Sequence, residues 1–232
     1  MILVKPSHEI MLITESPISF IEKAGRVCYK SEDKITEGSA REFVGMVIKR
    51  GHHSVIEHVS MSVRFICDRG VTHELVRHRL CAFSQESTRY CNYKGGVTFV
   101  IPPWVEVTPC EIRTITGIGE YRPEKIRDFW GGLSGTVNLS DLGTELWLYA
   151  MADTEVKYIS LLVDGWSPQQ ARSVLPNSLK TEIVVTANIR EWRHIFTLRC
   201  SKAAHPQIRE IMIPLHKELK ALIPIVFDGI NY

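Results

Sequence analysis

Residues 59–90 read VSMSVRFICDRGVTHELVRHRLCAFSQESTRY. Val59, Met61, Val63 and Phe65 alternate with Ser60, Ser62 and Arg64. A period of two sends the two sets to opposite faces, so the spacing predicts a strand buried on one side. Asp68-Arg69-Gly70 turns the chain, and a helix is expected over 71–79. From Ser84 the apolar period disappears. Ser84, Gln85, Ser87, Thr88 and Arg89 crowd hydroxyls, amides and a guanidinium into six residues, and the polar run continues to Gly95-Gly96.

Upstream, SARE at 39–42 reads as a capping box opening a helix. Phe43, Val44, Val47 and Ile48 form its apolar face and Gly51 stops it. A second S-x-x-E, Ser54 to Glu57, predicts a short turn. Downstream, VTFVIPP at 97–103 predicts a strand stopped by prolines. Ser140 is expected to cap a long helix ending near Gly165. Ser167-Pro168 is an N-cap followed by proline at the first helical position. TEIVVTANI at 181–189 reads as a strand and REWRHIFTLRC at 190–200 as a helix. A last helix is expected over 206–222, interrupted at Pro214. No strand–helix–strand rhythm repeats. The expectation is therefore one α/β domain over 1–232, with helices around a mainly antiparallel central sheet and an elaborated loop with short helices at 104–138.

Composition narrows the function. The chain has 232 residues, 44% hydrophobic and 23% charged, which is enough for a core without staples. A net charge of +2 demands neither nucleic acid nor an acidic membrane as partner. The six cysteines form no C-x-x-C pair, which suits a reduced, cytoplasmic protein. The N-terminal MILVKPSHEI carries no recognisable signal peptide, and no apolar run reaches bilayer length.

Three chemistries compete for 72–90. A zinc helix needs histidines four apart. His73 and His78 are five apart, roughly 140° around a helix, and do not share a face. Arg77-His78-Arg79 is a weak nucleic-acid signal in a chain that lacks a basic stripe. Clustered hydroxyls, amides and an arginine suit phosphate oxygens or a base edge, which favours a nucleotide-sized pocket. A nucleic-acid module built on the Arg-rich helix is the alternative.

Arg77-His78-Arg79, seven residues, then Ser87 resembles the R-H-R-x7-S signature of flavin-dependent thymidylate synthases. Companion motifs follow in the family's order. His52-His53-Ser54-Val55-Ile56-Glu57-His58 is similar to its H-x-[ST]-x-x-E-H segment. QARSVLP at 170–176 resembles its arginine-before-Leu-Pro motif. Asn188-Ile189-Arg190 with His194, then Phe196 to Arg199, resembles its late block, and His205-Pro206-Gln207 comes next. The resemblance spans roughly 20–210 and leaves 104–138 unplaced. Many relatives carry Asn-Glu where this chain has Ser84-Gln85, and Gln where it has Glu74.

The resemblance implies conversion of dUMP to dTMP. 5,10-Methylenetetrahydrofolate would donate the carbon and FAD, reduced by NADPH, the hydride. It also implies a homotetramer with active sites between subunits, and a mechanism without a cysteine nucleophile. It makes Arg199 the catalytic residue, facing the uracil and favouring negative charge on the ring. Arg172 would hold the uracil or sugar edge. Ser87, Thr88 and Arg89 would cradle the phosphate beside Gln85 and Glu86, with Glu74 lining the same nucleotide. Gln85 is expected at the flavin as well. Arg77, His78 and Arg79 would serve FAD, with Arg77 shared with dUMP. Asn188, Arg190 and His194 are expected at FAD too. Ser54 and Glu57 have two readings, flavin contact or capping box. His52 also has two, a place over the flavin or a structural histidine. No metal ligand set is expected. Cys81 and Cys200 lie near arginines and read as buried fillers.

Overall fold

The computed structural model describes residues 1–112 and 142–232. In chain order it contains β1 (Ile2–Val4), β2 (Ser7–Ile13), α1 (Pro17–Val27), α2 (Ser39–Lys49), β3 (Ser60–Asp68), α3 (Arg69–Leu75), β4 (Ala82–Gln85), β5 (Thr98–Val100) and β6 (Cys110–Glu111). After the undescribed stretch come α4 (Leu142–Val163), α5 (Pro168–Ala171), β7 (Lys180–Asn188), α6 (Ile189–Arg199) and α7 (Pro206–Leu222). Short 3-10 turns occupy Glu32–Lys34, His53–His58 and Arg172–Val174. One sheet has the order β5-β1-β6 and the other β2-β3-β7-β4. The class is the expected α/β with antiparallel pairing. The small sheet adds one parallel pair, β1 with β5, in register Leu3 to Phe99.

The described residues group into two compact units, each made of three chain segments. The first takes Met1–Pro6, Ile66–His73 and Gln85–Glu182. Its core joins Leu3, Val97, Phe99 and Ile101 to Leu148, Met151 and Tyr158 of α4. Glu155, a buried carboxylate on α4, accepts from the Met1 ammonium at 2.6 Å and from the Val97 N–H at 2.7 Å. A buried charge is tolerated only when paired and bonded in this way.

The second unit takes Ser7–Phe65, Glu74–Ser84 and Ile183–Tyr232. The alternation read from sequence holds: Val59, Met61, Val63 and Phe65 are all fully buried. The expected strand at 181–189 is β7, which alternates in the same way. Trp192 of α6 packs its ring 6.3 Å from Phe65 and 5.8 Å from Phe196, and its indole N–H donates to the Met61 carbonyl. That aromatic column anchors the helix carrying Arg199 to the strand beneath it. α1 lies on α2 so closely that a Cβ at Gly25 would stand 2.6 Å from the Phe43 ring, and only glycine fits that approach.

Several local expectations are corrected. Ser39 does not cap α2. It is the first helical residue, after Gly38 in the left-handed region, and its hydroxyl donates to Glu22 at 2.9 Å. The helix expected at 71–79 spans Arg69–Leu75, with Asp68 accepting from the Val71 N–H at its start. The polar run that begins at Ser84 has its first two residues in β4. α7 runs through Pro214 without interruption, because Ile208, Ile211, Met212, Leu215 and Leu219 bury one continuous face. Ser167 stands at the N-cap of α5 with proline in its first turn, as expected, and Gln170 adds a capping box that was not foreseen. Of the loop expected at 104–138, residues 104–112 supply β6, and the remainder, with Ser140, lies outside the described residues.

Candidate active site

In the first unit, Gln85 closes β4 and the polar run follows. The Gln85 amide nitrogen donates to Thr72 Oγ1 at 3.0 Å and Thr181 Oγ1 at 3.3 Å. Both threonines are buried, so the amide is fixed with its carbonyl oxygen turned from them. The Glu86 N–H pairs with the Glu182 carbonyl on β7. Its carboxylate accepts from Tyr93 Oη at 2.7 Å and Lys180 Nζ at 3.2 Å. Burial and that carboxylate push the Tyr93 phenol well above its ordinary range. Burial alone would lower Lys180, but Glu182 and Glu86 outweigh it and the amine is held above its usual value.

One turn on, the Ser87 carbonyl accepts from the Tyr90 and Cys91 N–H groups. Arg172 Nη1 donates to the buried Thr88 hydroxyl at 3.2 Å. Arg89 Nε donates to Gln169 Oε1 at 3.2 Å, and its guanidinium lies 5.4 Å from the Tyr90 ring centre. Both arginines are exposed. α5 and the 3-10 turn after it thus present Gln169 and Arg172 to the loop holding Ser87, Thr88 and Arg89. Guanidinium groups and hydroxyls are the donor types that suit an anion.

In the second unit, α6 carries the rest. Asn188 caps it by accepting from the Glu191 N–H at 2.9 Å. Its Oδ1 is therefore spent on the helix, leaving the amide nitrogen as the outward donor. Arg190 Nη1 meets Glu57 at 2.5 Å, both side chains partly exposed. His52, Ser54, Arg77, Arg79 and His194 are exposed. The N-cap position of this turn is His52, and Ser54 lies inside the turn, so Ser54 and Glu57 do not frame it as a capping box; both are exposed.

Arg199 sits in the last turn of α6, where the helix dipole favours a cation. Its Nε donates to His78 Nε2 at 3.0 Å, Nη1 to Glu74 Oε2 at 2.6 Å, and Nη2 to the Glu74 carbonyl at 3.0 Å. A guanidinium has five N–H groups. Three are committed, and one hydrogen remains on each terminal nitrogen. Arg77-His78-Arg79 lies beyond α3, not on it as the sequence suggested. The Arg77 and His78 N–H groups bond three residues back, to Glu74 and Leu75, closing the helix. The Glu74 carbonyl that a longer helix would use is shared with Arg199.

His78 is 5% exposed. Burial first, then the charges of Arg199 and His194, push it down to about 4. Its unfolded value is near 6.5, so the unfolded chain binds the proton more readily. The neutral ring's contribution is present above about 6.5 and lost as pH falls towards 4. Wild type is expected to lose on the order of 3 kcal/mol of stability to this group across that window, and H78Q to show a flatter dependence. Thermal unfolding at pH 7 and pH 4.5 measures both.

His78, Glu191 and His194 bring three potential ligand atoms within 4.8 Å of one another, a grouping that residue spacing did not foretell. Arg199 occupies one His78 nitrogen and Glu191 faces the other at 3.4 Å, so the imidazole offers no open lone pair to an ion. Thiol chemistry is also disfavoured. Burial pushes Cys200 up to about 12, and burial with Glu191 does the same for Cys81, whereas nucleophilic thiols sit in sites that lower them. The sequence reading missed Glu191, Lys180, Gln169, Thr72 and Thr181. Only Glu191 left a signal, and its place three residues after an N-cap hid it as a helix-start acid.

The family model described as thymidylate synthase complementing protein matches residues 9–225. Flavin-dependent thymidylate synthase of Mycolicibacterium gilvum is 34% identical over 226 residues, covering 96% of this chain and 83% of that one. The Geobacter sulfurreducens enzyme of the same name is 31% identical over 222 residues, 92% and 82% of the two chains. The structure of flavin-dependent thymidylate synthase ThyX from Helicobacter pylori, complexed with FAD and dUMP, aligns with TM-score 0.70 at 21% identity over 97% of this chain and 100% of that one. The UMP/dUMP methylase PolB of Streptomyces cacaoi aligns equally well, at 0.70 and 24% identity, over 98% and 96%. The last two establish the fold. With the family match running almost end to end, the chain belongs to the thymidylate synthase complementing protein family, whose members named above are flavin-dependent thymidylate synthases.

Proposed function

We propose that this protein is a flavin-dependent thymidylate synthase: it methylates dUMP to dTMP, with 5,10-methylenetetrahydrofolate as carbon donor and NADPH-reduced FAD as hydride source. The observation that carries the reading is Arg199, a guanidinium fixed by three bonds with two N–H groups left over. Directed at a pyrimidine carbonyl and N3, those groups stabilise negative charge on the ring, so C5 gains electron density without thiol attack. Glu74 is the anion that orients this cation. Arg89, Arg172, Ser87 and Thr88 take the 5′-phosphate, while Glu86 and Gln85 hold that loop to the sheet.

The donor set suits FAD. The chain has no glycine-rich dinucleotide turn, and Arg77, Arg79, Arg190 and His194 are exposed cations and imidazoles fit for a diphosphate. Ser54, Glu57, His52 and the Asn188 amide supply neutral and acceptor contacts. Bound there, FAD would supply the hydride. A homotetramer with active sites between subunits comes with the family resemblance, and Leu80 and Tyr90, 79% and 78% exposed next to Arg79 and Arg89 in sequence, are side chains that a neighbouring subunit would cover. All six cysteines are free thiols, which suits the cytoplasm. Among the described residues no helix is long and apolar enough to cross a membrane.

The test is the absorption spectrum of purified protein, then tritium release from [5-³H]dUMP with the folate and NADPH. Flavin bands and tritiated water are expected. A colourless protein that takes up no added FAD and releases no tritium overturns the reading, and binding to RNA that weakens steeply with salt would favour the Arg-rich-helix alternative.

A further inference from the structure

Glu191 has no part in the roles assigned above, yet it is only 6% exposed and faces the Nδ1 of a buried imidazole. The α6 dipole explains an acid in the first turn, but not one turned inward onto His78. An arginine can only donate. With Arg199 Nε 3.0 Å from His78 Nε2, that nitrogen must accept. The neutral ring has one N–H, so it lies on Nδ1, towards the Glu191 carboxylate 3.4 Å away. The other groups around the ring are His194, edge-on at 5.8 Å, and Glu74, which reaches it only through Arg199. Neither meets the Nδ1 proton. The Glu191 carboxylate is the acceptor placed at Nδ1, so it favours from one side the same neutral tautomer that Arg199 requires from the other.

We propose that Glu191 is a positioning residue for Arg199, acting through His78: its carboxylate holds the proton on Nδ1, which keeps Nε2 an acceptor and aims the guanidinium. Without it the ring is free to protonate on Nε2, where its N–H would oppose that of Arg199. The sequence Glu191–His78–Arg199–Glu74 then forms a carboxylate–imidazole–guanidinium–carboxylate chain, with the cation clamped from both ends. The proposal rests on Arg199 being the group that faces the pyrimidine.

The experiment compares E191L and E191Q with wild-type holoenzyme for flavin absorbance, melting temperature, and kcat and KM for dUMP. E191L should keep its flavin and lose about 10- to 100-fold in kcat, the scale for removing a group that orients an active-site imidazole, with a smaller change in KM. E191Q should regain most of that loss, because an amide oxygen can accept from Nδ1. A wild-type rate in E191L, or equal losses in the two variants, overturns the proposal. Independently, ¹⁵N-histidine NMR of the wild-type holoenzyme, assigned with H78N, should show His78 neutral and protonated on Nδ1. An Nε2–H form or an imidazolium at neutral pH overturns it, and this measurement decides the matter if E191L does not fold. A wild type that makes no dTMP overturns the functional reading instead, and the imidazole state then judges the positioning claim alone.

Discussion

R199A is expected to lower kcat by roughly 10²- to 10³-fold while flavin absorbance stays near wild type and the melting temperature falls modestly. The size follows from removing a preorganised donor that acts on charge developing in the transition state. The selectivity follows from location. Arg199 lies at the C-terminal end of α6, and its partners are Glu74 and His78, whereas the proposed flavin ligands Arg77, Arg79 and Arg190 do not depend on it. Truncation would leave the Glu74 carboxylate, 30% exposed beside Arg199, without its cation where water can reach it, and the buried His78 Nε2 without its donor, a structural cost of about 1–3 kcal/mol. R199K should recover little. A lysine ammonium cannot bond His78, Glu74 and a pyrimidine together from one planar fork. Single-turnover dTMP formation separates the step. A normal single-turnover rate with slow steady state would place Arg199 in product release and remove it from the chemistry.

What the sequence made legible, and what it hid, divides along physical lines. β3 and β7 were readable because each buries one face, and a period of two survives in the chain wherever that holds. α6 was readable because Trp192, Ile195 and Phe196 all point into the core. The α3 terminus was not, because the group that ends it comes from residue 199: Arg199 takes the Glu74 carbonyl, and no local propensity records that. Pro214 misled in the opposite direction, since tertiary burial of a continuous face outweighed one missing hydrogen bond. The same division holds at the site. Arginines and hydroxyls announce themselves by type, and the structure brings Arg172 against Thr88 and Gln169 against Arg89. Glu191 did not, because its significance lies in a contact across 113 residues of chain, from 78 to 191.

The phosphate cradle makes the second large prediction. R89A is expected to raise KM for dUMP about 10- to 100-fold with kcat little changed, from the loss of one or two charge-assisted hydrogen bonds. A phosphate remote from the reacting carbons is held equally in ground and transition states, and loss of such uniform binding appears in KM alone. Arg89 is pinned by Gln169 through Nε and lies over the Tyr90 ring, so its terminal nitrogens are presented without further ordering, which raises the cost of removing them. Q169A should therefore show the same pattern at smaller size. R172A should combine it with loss of Thr88 alignment, because those two side chains share a bond. The discriminating substrate is deoxyuridine, which lacks the phosphate. Wild type and R89A should turn it over with the same poor efficiency, since the arginine has nothing to hold. If R89A instead loses kcat with dUMP while KM is unchanged, or is slower than wild type on deoxyuridine, Arg89 acts on the ring and the phosphate must bind elsewhere.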